Sequence, residues 1–219
     1  MALACIKHFA VHSGPEANRH SFDAVVGGRA FWTTYLPAFK YIVEHTDVSM
    51  VMCGYNRLNG VPCCTNESLL VDILRNQWGY DGLFVTDCWA LNDCWERDPV
   101  IPRHETHATA AEAAAAAFGS VVDLECGSGF KALKEAVSIG LIPEEMIDAH
   151  VLKILKARLS LGMFDPEPLQ VEEIVTRQFD EMALEMARKS VVLLQNNHQV
   201  LPLQPEKYKS TAIIGPNAA

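Results

Sequence analysis

Apolar and polar positions alternate with turn residues in a way that predicts repeated strand-loop-helix units. Leu3 to Ile6 reads as a first strand, followed at once by Lys7-His8-Phe9. A polar loop with Gly14, Pro15 and Asn18-Arg19-His20 comes next, and Pro37 suits the first turn of a helix through Phe39, Ile42 and Val43. Val48 to Met52 is the second strand, running into Cys53-Gly54-Tyr55-Asn56-Arg57 and a turn at Asn59-Gly60. Thr65 or Asn66 caps a helix whose apolar face is Leu69, Leu70, Ile73 and Leu74, with Gly79 past its end. Leu83, Phe84 and Val85 form a short apolar run bounded by Gly82 and by Thr86-Asp87-Cys88. Such a run fits a parallel strand covered on both faces.

Further along, the alanine-rich stretch from Ala108 to Phe118 predicts a closely packed helix, and Val121 to Leu124 a fourth strand ending in Glu125-Cys126-Gly127. A helix with Leu133 and Val137 on one face follows. Pro143 then starts a longer helix, with an apolar face of Met146, Ile147, Val151, Ile154, Leu155 and Leu159, closed by Gly162. Met163-Phe164-Asp165-Pro166-Glu167-Pro168 reads as a linker. Beyond it come a helix around Phe179 to Lys189, with Met182, Ala183, Met186 and Ala187 inward, and strands at Val191 to Leu194 and Thr211 to Ile214.

The four early strands begin near residues 3, 48, 83 and 121, and each ends in polar groups: Lys7-His8, Tyr55-Asn56-Arg57, Asp87 and Glu125. Four polar strand ends in a row point to one face of a parallel barrel or doubly wound sheet, where catalytic groups collect. Taken alone, Asp87 equally suits a turn or a helix cap. The polar, aromatic loop after it holds Trp89, Asn92, Asp93, Trp95, Arg97 and His104.

Composition narrows the classes. Of 219 residues, 49% are apolar, enough for a substantial core, and the net charge of −9 argues against a nucleic-acid partner. No apolar run approaches the roughly 20 residues of a membrane-spanning helix. The N-terminus lacks a basic segment ahead of its apolar run, so it makes a poor signal peptide. Seven cysteines without a CxxC argue against a zinc ribbon or thioredoxin motif. Most suit small buried positions; Cys88 and Cys94 are candidates to approach each other in one loop, and their redox state stays open. His104-Glu105-Thr106-His107 lacks the spacing that puts two metal ligands on one helical face.

Lys7-His8-Phe9-Ala10, Tyr35-Leu36-Pro37-Ala38-Phe39, Val51 to Asn56, Gly60-Val61-Pro62, Trp78 to Gly82 and Val85-Thr86-Asp87-Cys88 resemble glycoside hydrolase family 3, in that order and spacing. Asp123 to Gly127, Gly162 to Asp165, Ser190 to Leu194 and Ile213 to Asn217 resemble the same family, across the end of its barrel and into its α/β sandwich. The His12-Ser13-Gly14-Pro15-Glu16, Cys63-Cys64 and Asp123 to Gly127 details resemble its β-xylosidase and β-glucosidase branch.

The resemblance implies an α/β chain: the C-terminal half of a (β/α)8 TIM-type barrel over 1–162, a linker over 163–175, and the start of an α/β sandwich over 176–219. It implies retaining, exo-acting hydrolysis of terminal β-linked sugars, from an oligosaccharide or aryl glycoside, with Asp87 as nucleophile. Lys7 and His8 match its sugar-binding pair, Tyr55 the tyrosine beside the nucleophile, and Met52 an apolar wall of the sugar subsite. Arg19 and Glu125 are candidates to line the pocket, and Trp89 or Trp95 to stack on a sugar face. No metal or organic cofactor is implied. The first half of the barrel and the general acid/base are expected outside this chain, so it reads as an internal fragment completed by a complementing chain, or else as an inactive sugar-binding remnant. Only Asp123 or Glu125 offers a substitute second carboxyl, and nothing in the sequence supports either.

Overall fold

The computed structural model describes residues 2–166, 176–216 and 218. It divides into two units, Met1–Pro168 and Leu169–Ala219. From residue 167 onward the expected linker lies outside the described residues.

Six strands occur among the described residues: β1 (Cys5–Phe9), β2 (Asp23–Ala24), β3 (Met50–Cys53), β4 (Arg57–Leu58), β5 (Val61–Pro62) and β6 (Leu83–Thr86). β1, β3 and β6 form a parallel sheet in that order. Chain neighbours are sheet neighbours, with no reversal of the kind that marks a doubly wound sheet. The first strand runs two or three residues later than its apolar run suggests, so Lys7 and His8 lie within it rather than beyond it. Val51 pairs with Phe84 and Cys53 with Thr86, whereas Ile6 faces Val51 and Phe9 faces Cys53. One extra residue is therefore accommodated across Lys7-His8, an irregularity of the kind that re-aims a side chain.

The fourth strand is present only as a single parallel bridge between Val85 and Leu124. Val121 has φ 66°, which a β-branched residue in a strand does not adopt. Asp123 contributes a side-chain oxygen where a ladder would offer a carbonyl: its Oδ2 accepts from Phe84 N at 2.8 Å.

Helices cover one face of the sheet. The Ser68–Gln77 helix is capped by Asn66, whose Oδ1 accepts from Leu69 N at 3.0 Å. Its Leu69, Leu70, Ile73 and Leu74 are all buried, in one cluster with Phe9, Val51, Cys53 and Phe84. Phe39 of the Pro37–His45 helix and Trp78 meet the Phe9 ring at 5.1 and 5.8 Å. Each such buried side chain contributes about 1.5–3 kcal/mol. Asn59 and Gly60, at φ 50° and 90°, make the tight turn between antiparallel β4 and β5.

The Ala110–Gly119 helix is capped by Thr109: Glu112 N donates to Thr109 Oγ1 at 3.1 Å, and Glu112 Oε2 reaches back to accept from Ala108 N, just before the cap, at 2.8 Å. Ala113 and Ala117 enter the main core, while Ala111 and Phe118 join Ala136 and Ile142 in a second cluster. Alanine serves both because its short side chain lets the helix approach two neighbours.

Three expectations are corrected. The Glu144–Ser160 helix forms, but only His150 on it is buried; Val151, Leu155 and Leu159 are exposed. The Thr176–Ser190 helix forms too, yet Met182 and Met186 face solvent rather than a core. Val191 to Leu194 and Thr211 to Ile214 are not strands, and their side chains are exposed. Strand propensity without a neighbouring strand to receive its N–H and C=O groups gives no ladder.

Candidate active site

Asp87 follows β6 directly. Its backbone N–H donates to Cys53 O at 3.3 Å, which ties the end of β6 to the end of β3. The Asp87 side chain is 13% exposed. Its Oδ1 accepts from Cys88 N at 2.8 Å, and its Oδ2 lies 3.0 Å from His8 Nε2. His8 comes from β1, at the irregular step in the register. Three adjacent parallel strands thus converge on one carboxylate. Burial holds His8 below the ordinary histidine value, against the opposing pull of the Asp87 charge. A neutral His8 with its proton on Nε2 donates to Asp87 and adds no net charge. The His8 and His12 rings are 4.9 Å apart.

Tyr55 stands on the loop after β3. Its hydroxyl donates to the carbonyl of Cys88, not to the Asp87 carboxylate, so it acts on Asp87 only through the next peptide. Burial, then the Asp87 charge, pushes its hydroxyl above the ordinary tyrosine value. The ring is gripped from several sides. Arg19 Cζ lies 4.9 Å from its centroid and the His20 ring 5.1 Å away, edge-on. His104 Nε2 donates to Tyr55 O at 2.6 Å.

Behind this grip is a group that sequence reasoning missed. Asp93 is fully buried and accepts from His20 Nδ1 at 2.9 Å and from Arg103 Nη1. Its carbonyl also accepts from His104 N at 2.8 Å. Arg103, Asp93, His20 and His104 together form a polar frame around Tyr55. His20 and Asp93 are 73 residues apart, so no local spacing announces the pair.

The other expected site residues divide. Lys7 is exposed on β1. Met52 is partly buried and pairs with Val85 across the sheet, in a strand whose Val51 and Cys53 face the core. Trp89 is 53% exposed beside the site, with its backbone N–H on Cys126 O at 2.6 Å. Trp95, the alternative stacking residue, packs against the core as a loop anchor. Glu125 Oε2 accepts from Phe130 N at 3.4 Å, and its Oε1 is buried with no hydrogen-bond partner. A Cβ at Gly127 would displace that oxygen and press on the Trp89 ring, and the φ of 157° there disfavours a side chain. Arg19 also pairs with Glu16 at 3.2 Å.

Cys88 bonds to Cys126, not Cys94, and a second disulfide joins Cys53 to Cys64. Cys94 is a buried free thiol. The disulfide partner comes from the neighbouring strand end rather than the same loop, a proximity the fold creates. Asp123 serves structure: besides Phe84 N it holds the buried His150 through Nδ1 at 2.7 Å and the partly buried Arg75 through Nη2 at 3.5 Å. The residues of His104-Glu105-Thr106-His107 part company. His104 bonds to Tyr55, Glu105 pairs with Arg97 at 3.5 Å, and His107 Nδ1 meets Thr106 Oγ1 at 3.0 Å. Among the described residues no helix is long and apolar enough to cross a membrane.

A parallel α/β sheet with a sheltered carboxylate at its strand ends defines a broad class, and sequence comparison narrows it. Residues 2–157 match the glycosyl hydrolase family 3 N-terminal domain, and the chain belongs to that family. Its N-terminal domain is a TIM-barrel-type fold. A xylan 1,4-β-xylosidase of Xylanibacter ruminicola is 43% identical over 98% of this chain and 25% of its own length. The β-xylosidase/α-L-arabinofuranosidase 1 of Medicago sativa subsp. varia is 36% identical over 98% of this chain and 28% of its own. Among solved structures, a family 3 exo-β-xylosidase in complex with a xylobiose aziridine activity-based probe superposes with a TM-score of 0.75. It is 27% identical and covers 92% of this chain and 27% of its own. A Listeria innocua β-glucosidase in complex with isofagomine gives 0.72 at 29% identity, covering 92% and 28%. The chain therefore spans 25% and 28% of the length of these two curated relatives.

Proposed function

We propose that this chain carries the nucleophile side of a retaining, exo-acting β-glycosidase, a β-xylosidase or β-glucosidase acting on terminal β-linked sugars. The observation that carries the reading is the Asp87 carboxylate, on a side chain 13% exposed at the end of β6, with Oδ2 3.0 Å from His8 Nε2. In this reading an Asp87 oxygen attacks the anomeric carbon, the bond to the leaving oxygen breaks, and a glycosyl ester forms; water then cleaves the ester. Lys7, His8, Met52, Arg19, Glu125 and Trp89 line the sugar subsite, and Tyr55 steadies the Asp87-Cys88 peptide. No metal or organic cofactor takes part in this reading.

A retaining site needs a second carboxyl group about 5–5.5 Å from the nucleophile. Asp123 is committed to Phe84, His150 and Arg75, which removes one of the two candidate substitutes; in this reading Glu125 lines the subsite and the general acid/base comes from outside residues 1–219. In the same reading, 1–162 is barrel, 163–175 linker and 176–219 the start of a sandwich domain. A complementing chain is the second part of the proposal; the exposed apolar face of Val151, Leu155 and Leu159 favours it.

The test is intact-mass analysis after incubation with 2,4-dinitrophenyl 2-deoxy-2-fluoro-β-xyloside and with the corresponding glucoside. The activated leaving group departs with little acid assistance, so the reagent interrogates the nucleophile alone. A stoichiometric adduct on Asp87, absent from Asp87→Asn, is expected, and the faster sugar identifies the substrate. A folded sample that forms no adduct, or forms it elsewhere, overturns the reading.

A further inference from the structure

The Cys88–Cys126 disulfide joins residues 38 apart, and each is the direct neighbour of a site carboxylate: Cys88 of Asp87, Cys126 of Glu125. The contacts around it are concentrated on the same two loops. Trp89 N donates to Cys126 O at 2.6 Å, Cys126 N to Thr86 Oγ1 at 3.0 Å, and Tyr55 Oη to Cys88 O. Cys88 N in turn donates to Asp87 Oδ1 at 2.8 Å. Strand pairing between these segments amounts to the Val85–Leu124 bridge, with backbone bonds from Asp123 N and Leu124 N to Phe84 O and from Thr86 N to Leu124 O, and none beyond Leu124 except that of Trp89 N. A ladder this short does little to fix a loop, so the covalent bond supplies the constraint that missing strand pairs would otherwise give.

The two disulfides differ in access. Cys53 and Cys64 are 0% and 2% exposed, within the core. Cys88 and Cys126 are only partly buried. A small reductant in solution therefore meets the bond beside Asp87 first. The free thiols of Cys63 and Cys94 are buried and pushed up to about 12, so they do not compete as thiolates.

We propose that Cys126 is a positioning residue for Asp87, acting through its disulfide to Cys88, and that thiol reduction of this bond releases the Asp87 loop from the Glu125 loop. The catalytic consequence rests on the reading of Asp87 as nucleophile; the loop release does not. The chemistry is ordinary exchange with a dithiol. One reductant thiolate attacks a protein sulfur and forms a mixed disulfide. The second reductant thiol then closes on the first. The dithiol is oxidised to a cyclic disulfide, and two electrons and two protons end on Cys88 and Cys126.

The experiment treats the full chain with dithiothreitol at graded concentrations, followed by iodoacetamide and peptide mapping. Amide hydrogen exchange and Asp87 labelling by the fluoro-xyloside and fluoro-glucoside are recorded on the same samples. Cys88 and Cys126 are expected to alkylate while Cys53 and Cys64 do not. Exchange is expected to quicken by roughly tenfold or more over 86–92 and 124–130, with the rest of the sheet unchanged. Labelling is expected to fall in step and to return on reoxidation with oxidised dithiothreitol. Cys126→Ala is expected to show the fast exchange and slow labelling without reductant and to ignore added dithiol. Unchanged exchange over those two segments, unchanged labelling after reduction, or earlier reduction of Cys53–Cys64 overturns the proposal. If the oxidised protein takes no label at all, the nucleophile reading fails and the exchange comparison alone decides the latch.

Discussion

His8 Nε2 lies 3.0 Å from Asp87 Oδ2, joining the first strand of the parallel sheet to the carboxylate that ends the third. The pair is more than a surface contact, since Asp87 is 9% exposed. A buried carboxylate needs hydrogen-bond donors, and here Cys88 N and His8 supply one to each oxygen. Removing His8 strips one oxygen of its donor and frees the side chain to turn. His8→Ala is therefore expected to slow Asp87 labelling by about 10- to 100-fold, as for the loss of a hydrogen bond to a charged group. His8→Asn should recover part of the rate if its amide reaches the same oxygen. Labelling at the parent rate in His8→Ala would remove His8 from the site.

Tyr55 offers a contrasting case. Its hydroxyl meets Cys88 O, so Tyr55→Phe deletes one neutral hydrogen bond and leaves the ring between Arg19 and His20. The expected stability loss is about 1 kcal/mol, read from the urea midpoint. Labelling should slow less than in His8→Ala, because the carboxylate itself loses no donor. A larger effect than that of His8→Ala would mean that the hydroxyl reaches Asp87 during reaction.

Much of this arrangement was legible in the sequence, and the boundary has a physical cause. Asn66 as a cap, Leu69, Leu70, Ile73 and Leu74 as one buried face, and Asn59-Gly60 as a turn are local properties that the chain specifies within a few residues. The strand ends before Tyr55 and Asp87 were legible because strands alternate with helices, whereas His8 lies inside β1 and the strand before Glu125 shrinks to one bridge. What periodicity lacks is the identity of a distant partner. Asp93 finds His20 across 73 residues, and Cys88 finds Cys126 across 38. Tyr55 was expected beside the carboxylate, and its hydroxyl goes to the backbone carbonyl of the next residue, Cys88. The apolar positions of Val151, Leu155, Met182 and Met186 mark surfaces suited to burial, but burial requires an opposing surface, which a pattern on one helix does not supply.

Asp123 is a structural carboxylate, unlike the role proposed for Asp87. It is fully buried as a side chain and holds His150, Arg75 and Phe84 N together. Asp123→Ala leaves Arg75 without its counter-charge, and breaking such a pair costs about 3–5 kcal/mol. The expected result is a large drop in urea midpoint. Under conditions where the variant remains folded, Asp87 labelling should keep its pH profile. A changed pH profile with intact stability would instead give Asp123 a role in proton transfer.

Acid sensitivity follows from three histidines. Burial lowers His8, His104 and His107 below the ordinary value of about 6.5. For His104 the bond to Tyr55 O works the other way without overcoming burial. Between the depressed folded values and about 6.5, the unfolded chain binds protons that the folded chain does not. The stability these groups contribute is therefore fully present above about 6.5 and is lost as pH falls through the folded values. Asp98, lowered by the N–H groups of Ile101 and Val100, adds its own loss only at lower pH, in the carboxylate range. Urea midpoints taken from about pH 8 to about pH 5 should stay level and then decline. His104→Gln keeps a donor for Tyr55 O but cannot titrate, so its decline should be shallower. A midpoint that holds or rises on acidification would mean that these imidazoles are not buried neutral, and would remove the reason for treating His8 as the uncharged donor to Asp87.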